Sequence, residues 1–134
     1  MRDVASGLRQ SLVVAAEAGI AAERLVIDPG FGFAKTPAHN LELIRRLGEL
    51  RGLGRAILVG PSRKSTIGVL TGNARAEERL EGSLVLAALA IARGADIVRV
   101  HDVAETVRAA RVADAVLRGI PESLRDLPAP GPTG

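Results

Sequence analysis

The chain has 134 residues, too few for a complete eight-stranded βα barrel, which needs roughly 250 residues. Hydrophobic residues make up 47% and charged residues 25%, so a wholly disordered chain is excluded. The absence of cysteine excludes disulfide frameworks, thiolate metal sites and cysteine nucleophiles. The longest apolar run, residues 84–92, is less than half of a membrane span, so we predict no membrane segment and a cytoplasmic location.

The basic balance of the chain favours anionic partners, with a net charge of +3 and a pI near 10.5. The only two aromatic residues are Phe31 and Phe33, too few for a base-stacking surface, and no basic run is present. We therefore predict small anionic ligands and no nucleic-acid partner. Of the 18 basic residues only Lys35 and Lys64 are lysines, and Lys35 shares a glycine-rich segment with both phenylalanines. This clustering of rare residue types is the first indication of a site.

The first half of the chain predicts a helix, a strand and a second helix. Apolar residues three and four apart indicate an amphipathic helix over residues 1–18, ended by Gly19. Its apolar stripe is Val4, Leu8, Leu12 and Ala15. A β-rich run at residues 25–27 follows and is closed by Asp28-Pro29-Gly30. Thr36-Pro37 is typical of a helix start. The apolar stripe of that helix is Leu43, Ile44, Leu47 and Leu50.

The second half of the chain predicts two further units in which a strand leads through a loop to a helix. A strand at 56–59 leads through a loop to a short helix at 65–70, and a long helix follows at 76–93. A third strand at 96–101 precedes a last helix, which a capping box of Asp102 and Glu105 would start. Residues 1–120 form the predicted domain, and the Pro/Gly-rich tail at 121–134 is expected to be disordered. The inward-facing residues of the long helix are expected to be Leu80, Leu84, Ala87, Ala88 and Ile91. The apolar residues of the last helix are Val107, Ala110 and Leu117.

These elements predict an α/β fold with parallel strands. The strands are continuously apolar, which is typical of strands covered on both faces by helices. In such folds ligands bind at the carboxyl ends of the strands. A sheet of three strands has two open edges, so we expect further chain or a partner to cover them.

Arg99 and His101 lie two positions apart near the end of the third predicted strand, so both side chains should leave the same face. A guanidinium beside an imidazole suits a phosphate or diphosphate. The alternative is structural: Arg99 would pair with Asp96 or Asp102, and backbone groups would satisfy His101.

Asp28 ends the first predicted strand. Its carboxylate could accept the paired N–H groups of a planar heterocycle, or it could serve only as a turn residue before Pro-Gly. Phe33 could stack on a ring or belong to the core, and Phe31 is assigned to the core.

The segment from Gly60 to Ser65 joins a strand to a helix, with Ser62 as the expected N-cap, and this helix start favours an anion such as a carboxylate. Lys64 is interpreted as a cation aimed into the cleft, or else as an exposed lysine. A phosphate-binding P-loop is excluded because Arg63 stands where glycine is required, and Gly30-Phe31-Gly32 lacks the third glycine of a dinucleotide fingerprint.

Three motifs at consecutive strand ends carry a family resemblance. Asp28-Pro29-Gly30-Phe31-Gly32-Phe33, then Ser62-Arg63-Lys64-Ser65, then Arg99-Val100-His101-Asp102-Val103 resemble the second half of the dihydropteroate synthase family, from about Met1 to Leu117. The resemblance implies a partial TIM (β/α)8 barrel, namely its last three parallel strands with their helices and one preceding helix. The open edges of the sheet would then be completed by the front strands.

The resemblance also implies an activity. The family is a transferase of folate biosynthesis that joins p-aminobenzoate to 6-hydroxymethyl-7,8-dihydropterin diphosphate, releasing pyrophosphate, and it is the target of sulfonamides. Mg²⁺ assists, and we expect its ligands mainly from the missing N-terminal half and the substrate diphosphate, with no metal ligand in this chain. The full-length family member is expected to be a homodimer.

Each site residue takes its expected role from the resemblance. Asp28, Gly60 and Lys64 would bind the pterin. Phe33, Ser62 and Arg63 would shape the p-aminobenzoate side, and Arg99 and His101 would bind the diphosphate. Because the front strands would supply further site residues, we expect little or no turnover from the isolated chain.

Two other functions are compatible with the residues. A non-catalytic α/β binding fragment could pair its sheet edges with another chain. Another pterin-binding barrel, such as a methyltetrahydrofolate-dependent methyltransferase domain, could share the fold, although Ser62-Arg63-Lys64 argues against it.

Overall fold

The computed structural model describes residues 1–72 and 75–125. Three parallel strands form a sheet in the order β1-β2-β3, as the α/β prediction requires. The strands are β1 (Val26–Ile27), β2 (Ala56–Val59) and β3 (Ile97–Val98). The α-helices are α1 (Arg2–Glu17), α2 (Pro37–Arg45), α3 (Ser65–Leu70), α4 (Leu80–Ala92), α5 (Val103–Arg118) and α6 (Glu122–Arg125). Short 3₁₀ helices lie at Ala22–Arg24, Leu47–Leu53 and Ala76–Glu78.

The helices cover one face of the sheet. Ile27 pairs with Ile57, and Val59 with Val98, so these residues share the face on which the core packs. Val26 and Ile97 lie on the opposite face and are 48% and 41% exposed. The prediction that helices cover both faces was therefore wrong. Continuously apolar strands also arise in a barrel, where helices cover the outside and the side chains of other strands fill the inside.

The helix starts and stops follow local sequence. Thr36 caps α2, as predicted, because its Oγ1 accepts the His39 N–H at 3.2 Å, and Pro37 occupies the first helical position. Gly19, just past α1, and Gly94, just past α4, both have positive φ angles. The predicted stripes are confirmed in two helical segments. Val4, Leu8, Leu12 and Ala15 of α1 are half-buried, and Leu43, Ile44, Leu47 and Leu50 are buried.

The predicted inward face of α4 was correct only in part, since Ala87 is buried but Leu80, Leu84, Ala88 and Ile91 are half-buried. The residues buried on this helix are Ser83, Leu86, Ala87 and Ala90. Apolar side chains surround α4 on nearly all sides, so spacing alone did not select the buried face. On α5, the apolar residues Val107 and Leu117 are exposed, and Thr106 is the buried residue.

Two further boundaries differ from expectation. β3 ends at Val98, so Arg99 and His101 follow the strand, although the Arg99 N–H still donates to the Val59 carbonyl at 2.9 Å. The expected tail begins with the short helix α6, and residues 126–134 lie outside the described residues. Over residues 1–72 and 75–125, no helix combines the length and the apolar character needed to cross a membrane.

Candidate functional site

A cleft of about 280 Å³ opens at the carboxyl ends of the strands. Its walls come from the loops that follow β1, β2 and β3, so three separate segments converge as the parallel arrangement requires. Six of the eight predicted site residues line this cleft, and the other two, Asp28 and Arg63, contact residues of the neighbouring loops. The lining residues are Phe33, Gly60, Ser62, Lys64, Arg99, Val100 and His101.

Arg99 and Asp28 face each other across Gly60. A guanidinium nitrogen of Arg99 lies 3.5 Å from Asp28 Oδ2. A side chain at Gly60 would place its Cβ 3.1 Å from the same guanidinium, so the glycine makes room for the cation. Asp28 Oδ1 also accepts the Gly30 N–H at 2.8 Å, which is the turn contact expected of Asp before Pro-Gly. Asp28 therefore both shapes its loop and pairs with a cation that lines the cleft.

Lys64 lies over the Phe33 ring. Its ammonium nitrogen is 4.0 Å from the ring centroid, a cation–π contact. The aliphatic part of Lys64 passes Gly32 so closely that a Cβ there would come within 2.8 Å of Lys64 Cδ. Phe33 is 57% exposed and so belongs to the cleft and not to the core, whereas Phe31 is buried in the core as predicted.

Ser62 and His101 form a close pair. Ser62 is 3% exposed, and its Oγ lies 3.0 Å from His101 Nδ1 and accepts the His101 N–H at 3.2 Å. The prediction that Ser62 caps α3 was wrong, because Lys64 holds the N-cap position without a side-chain cap bond. The Ser62 hydroxyl is directed to the loop after β3 instead.

The Arg63 side chain does not line the cleft. Its Nε and a terminal nitrogen donate to the two oxygens of Asp102 at 3.1 and 2.5 Å. These bonds lower the pKa of the Asp102 carboxyl below its usual range, with the electrostatic attraction of Arg63 acting in the same direction and burial opposing it. Asp102 stands at the N-cap of α5 but makes no side-chain cap bond, so the predicted capping box was wrong.

The Arg63 backbone is held in an unusual conformation. Its φ of 56° lies in the left-handed region, a backbone conformation that residues other than glycine rarely adopt. The Arg63 N–H donates to Ser83 Oγ at 2.9 Å, and Arg79 donates to the Arg63 carbonyl at 2.8 Å. Residues of α4 and of the segment before it thereby fix the turn that carries Lys64.

Sequence reasoning missed the buried amide of Asn40. Its oxygen accepts the Gly32 N–H at 2.8 Å, and its nitrogen donates to Thr66 Oγ1 at 2.9 Å. Asn40 thus links the glycine-rich loop to α3. The available signal was a polar residue three positions before Leu43 and four before Ile44, on the apolar stripe of α2. Lys35 is also structural, since its ammonium donates to the carbonyls of Gly30 and Phe33.

The described residues do not fit a magnesium site held by the protein alone. Within residues 1–72 and 75–125, no group of three or more His, Cys, Asp or Glu side chains could hold a metal ion. Asp102 is engaged by Arg63, and Asp28 by Arg99. Expected ligands from the rest of a barrel and from a diphosphate remain a prediction.

The family model described as "Pterin binding enzyme" matches residues 1–101. With the three parallel strands and the cation-lined cleft at their carboxyl ends, this match shows that the chain belongs to the pterin-binding enzyme family. Its architecture is accordingly part of the βα barrel, as the sequence predicted.

Within that family, the similar proteins are dihydropteroate synthases. The chain is 54% identical over 101 residues to dihydropteroate synthase of Escherichia coli K12, covering 75% of this chain and 36% of that protein. It is 43% identical over 119 residues to the Clostridium beijerinckii enzyme, covering 88% and 44%. The chain thus spans about two fifths of the length of these relatives.

Solved structures agree with the sequence comparison. Yersinia pestis dihydropteroate synthase superposes with a TM-score of 0.85 at 42% identity, over 87% of this chain and 55% of that one. The Xanthomonas albilineans enzyme in complex with 7,8-dihydropteroate also gives 0.85, at 46% identity, over 90% of this chain and 47% of that one. The matched region is therefore about half of a complete synthase barrel.

Proposed function

We propose that this chain supplies the C-terminal half of a dihydropteroate synthase site, which joins p-aminobenzoate to 6-hydroxymethyl-7,8-dihydropterin diphosphate in folate biosynthesis. The supporting observation is the single cleft into which three consecutive strand ends bring Lys64, Arg99 and His101. Three cationic or donor groups at one point suit a reaction in which a diphosphate leaves.

Each cleft residue has a proposed role that fits its contacts. Asp28 binds the pyrimidine edge of the pterin, and Lys64 reaches the ring from the neighbouring strand end. Gly60 leaves the space that Arg99 and the ring need. Arg99 and His101 bind the diphosphate.

The p-aminobenzoate side has a different arrangement from the one expected. Phe33 is exposed toward the cleft and held under Lys64, so it can contact an aromatic ring. Ser62 and Arg63 already have partners in His101 and Asp102. We therefore propose that Ser62 and Arg63 shape this side by holding the loops in place.

The proposed reaction is a displacement at carbon. The amine nitrogen of p-aminobenzoate attacks the methylene carbon that carries the diphosphate, forming a C–N bond while the C–O bond breaks. Pyrophosphate leaves with the bonding electron pair, and the amine nitrogen loses one proton. Because p-aminobenzoate is a weak nucleophile, positive groups already in position around the leaving group should make the largest contribution to the rate.

Further properties are proposed from the same family. They are dependence on Mg²⁺, inhibition by sulfonamides, a cytoplasmic location, small-molecule partners alone and a homodimer of the full-length protein. The Mg²⁺ proposal takes its ligands mainly from the rest of the barrel and from the substrate diphosphate.

A chimera tests the proposed function directly. The chain replaces the matching C-terminal segment of the E. coli relative, and pyrophosphate release is measured with both substrates and Mg²⁺. We expect sulfonamide-sensitive turnover, about 100-fold slower for Lys64→Ala, since a preorganised cation is lost. Arg108→Ala is the matched control, because Arg108 lies exposed on α5 and pairs, within the described part of the chain, only with Glu105. A folded chimera without turnover contradicts the proposal, as does an equal loss in both variants.

The 134-residue chain is assayed alongside the chimera. We expect it to release little or no pyrophosphate, since the open face and edges of its sheet leave the cleft one-sided. A rate equal to that of the chimera would show that the proposed half-site is sufficient, and would contradict the need for the front strands.

A further inference from the structure

Ser62 makes two hydrogen-bond contacts with the same distant residue. Its Oγ lies 3.0 Å from His101 Nδ1 and accepts the His101 backbone N–H at 3.2 Å. Ser62 and His101 both line the cleft, but Ser62 is buried whereas His101 is exposed. The serine contacts the imidazole at Nδ1, which leaves Nε2 as the ring nitrogen that Ser62 does not engage.

The hydrogen count on the hydroxyl decides the direction of the side-chain bond. A serine hydroxyl has one hydrogen to donate and two lone pairs that accept. The His101 backbone N–H occupies one lone pair. In the described part of the chain, His101 Nδ1 is the only acceptor within reach of the Ser62 hydrogen. A buried O–H without an acceptor is destabilising, so the hydroxyl donates and Nδ1 accepts.

An accepting Nδ1 carries no proton, so the neutral imidazole carries its proton on Nε2. Among residues 1–72 and 75–125, His101 Nε2 has no hydrogen-bond partner. The other tautomer would present a lone pair, which repels anionic oxygens, whereas an N–H attracts them. The state of Nδ1 therefore controls what the cleft offers to an anion.

We propose that Ser62 is a positioning residue that holds His101 in its Nε2-protonated tautomer, so that an N–H donor faces the anion side of the cleft next to Arg99. Ser62 thus acts through His101 and not on a substrate. That the anion is a diphosphate rests on the proposed function, whereas the tautomer follows from the contacts of Ser62 alone.

Nuclear magnetic resonance of the imidazole nitrogens tests the tautomer without any substrate. The chain has only two histidines, so the ¹⁵N-labelled protein gives two ring patterns. His39 is exposed, which makes it an internal reference for an unconstrained ring. The spectra are recorded at pH about 8.5, two units above the usual histidine pKa of about 6.5. We expect His101 to be protonated on Nε2 to a clearly greater extent than His39.

Two variants separate the specific contact from a general loss of a buried hydroxyl. Ser62→Ala should move the His101 pattern to that of His39. Ser83→Ala removes another buried serine hydroxyl, on α4, which contacts Arg63 and Arg79 and is not bonded to His101 among the described residues. This variant should leave the His101 pattern unchanged. If Ser62→Ala does not fold, the wild-type pattern still decides, because a His101 protonated on Nδ1, or one that matches His39, overturns the proposal.

Titration with inorganic pyrophosphate tests what the donor does. We expect pyrophosphate to shift the His101 Nε2 proton resonance, and Ser62→Ala to weaken binding about tenfold, more than Ser83→Ala does. Equal affinity in wild type and Ser62→Ala overturns the positioning role. If pyrophosphate binds to none of the proteins while His101 keeps its tautomer, the proposed diphosphate site fails and the role of Ser62 in setting the tautomer is supported.

Discussion

Two glycines make room for the cations of the cleft. Gly60 leaves space for the Arg99 guanidinium, and Gly32 for the aliphatic part of Lys64. Gly32 also has a φ of 80°, in the region that favours glycine. Its lack of a side chain therefore serves both the turn and the placement of Lys64 over Phe33.

Gly32→Ala should destabilise the chain. The left-handed conformation costs an alanine about 1–2 kcal/mol, and the new Cβ would displace Lys64 from the Phe33 ring. Urea unfolding measures the loss. Gly52→Ala is the matched control, since Gly52 has no positive φ and nothing lies within 4 Å of a Cβ there. Equal changes in both variants would show that neither conformation nor space matters at Gly32.

The contact between Asn40 and Thr66 should also be measurable. Asn40→Ala removes the partner of the part-buried Gly32 N–H and of the buried Thr66 hydroxyl, which should lower the free energy of unfolding by about 1–3 kcal/mol. A double-mutant cycle with Thr66→Val should give a coupling of at least about 0.5 kcal/mol. The same cycle with Thr71→Val should give none, because Thr71 is exposed and bonds to Ile67 in its own helix. Coupling with Thr71 as large as with Thr66 would argue against the direct bond.

At the scale of elements, the Arg63–Asp102 pair ties the loop after β2 to the start of α5. The bond could not be assigned from sequence, because the partners are 39 positions apart and Asp102 with Glu105 fits a local capping box equally well. The structure favours the pair because Arg63 offers two donors to one carboxylate, a geometry that a helix cap does not match.

The lowered pKa of Asp102 predicts an acid-dependent loss of stability. The carboxylate favours the folded state at pH values above the usual aspartate pKa of about 3.9, and this contribution is lost as the pH falls through the lower pKa of the folded state. Asp102→Asn should therefore be less stable at neutral pH and should show a shallower fall between pH about 4 and strong acid. Thermal unfolding across this range measures it. Asp3→Asn changes an exposed position on α1 and should lose stability with falling pH as steeply as the wild type does. If stability falls equally steeply in Asp102→Asn, Asp102 is not the cause of the acid-dependent loss.

For the whole molecule, the sheet edges are the notable feature. β2 has a neighbouring strand on each side, whereas β1 and β3 each have one among the described residues. The exposed face carries apolar side chains such as Val26 and Ile97. In a barrel both the edges and this face would be covered by the remaining strands.

Hydrogen exchange should reveal this difference. In the 134-residue chain, the backbone amides of β2 should exchange most slowly and those of β1 and β3 faster. In the chimera with the E. coli relative, β1 and β3 should gain protection because new strands pair with them, while β2 serves as the internal reference. If β1 and β3 are already as protected as β2 in the isolated chain, copies of the chain pair with each other through these edges. Dilution would then separate the copies and remove the added protection.

The sequence by itself determined the order of elements and where the cleft would lie. Apolar runs, Gly-Pro breaks and the Thr36-Pro37 helix start are local signals, and parallel strands collect their loops at one edge whatever the details of packing. The motifs at those strand ends were sufficient to place Lys64, Arg99 and His101 in a common site.

Only the tertiary structure decided which face of α4 is buried, that β3 stops at Val98, and which partners Ser62, Arg63 and Asn40 have. A helix that is apolar on nearly all sides has no preferred face until a sheet packs against it. Hydrogen-bond partners that lie 26 to 39 positions apart leave no periodic signal, because they meet only after the chain has folded.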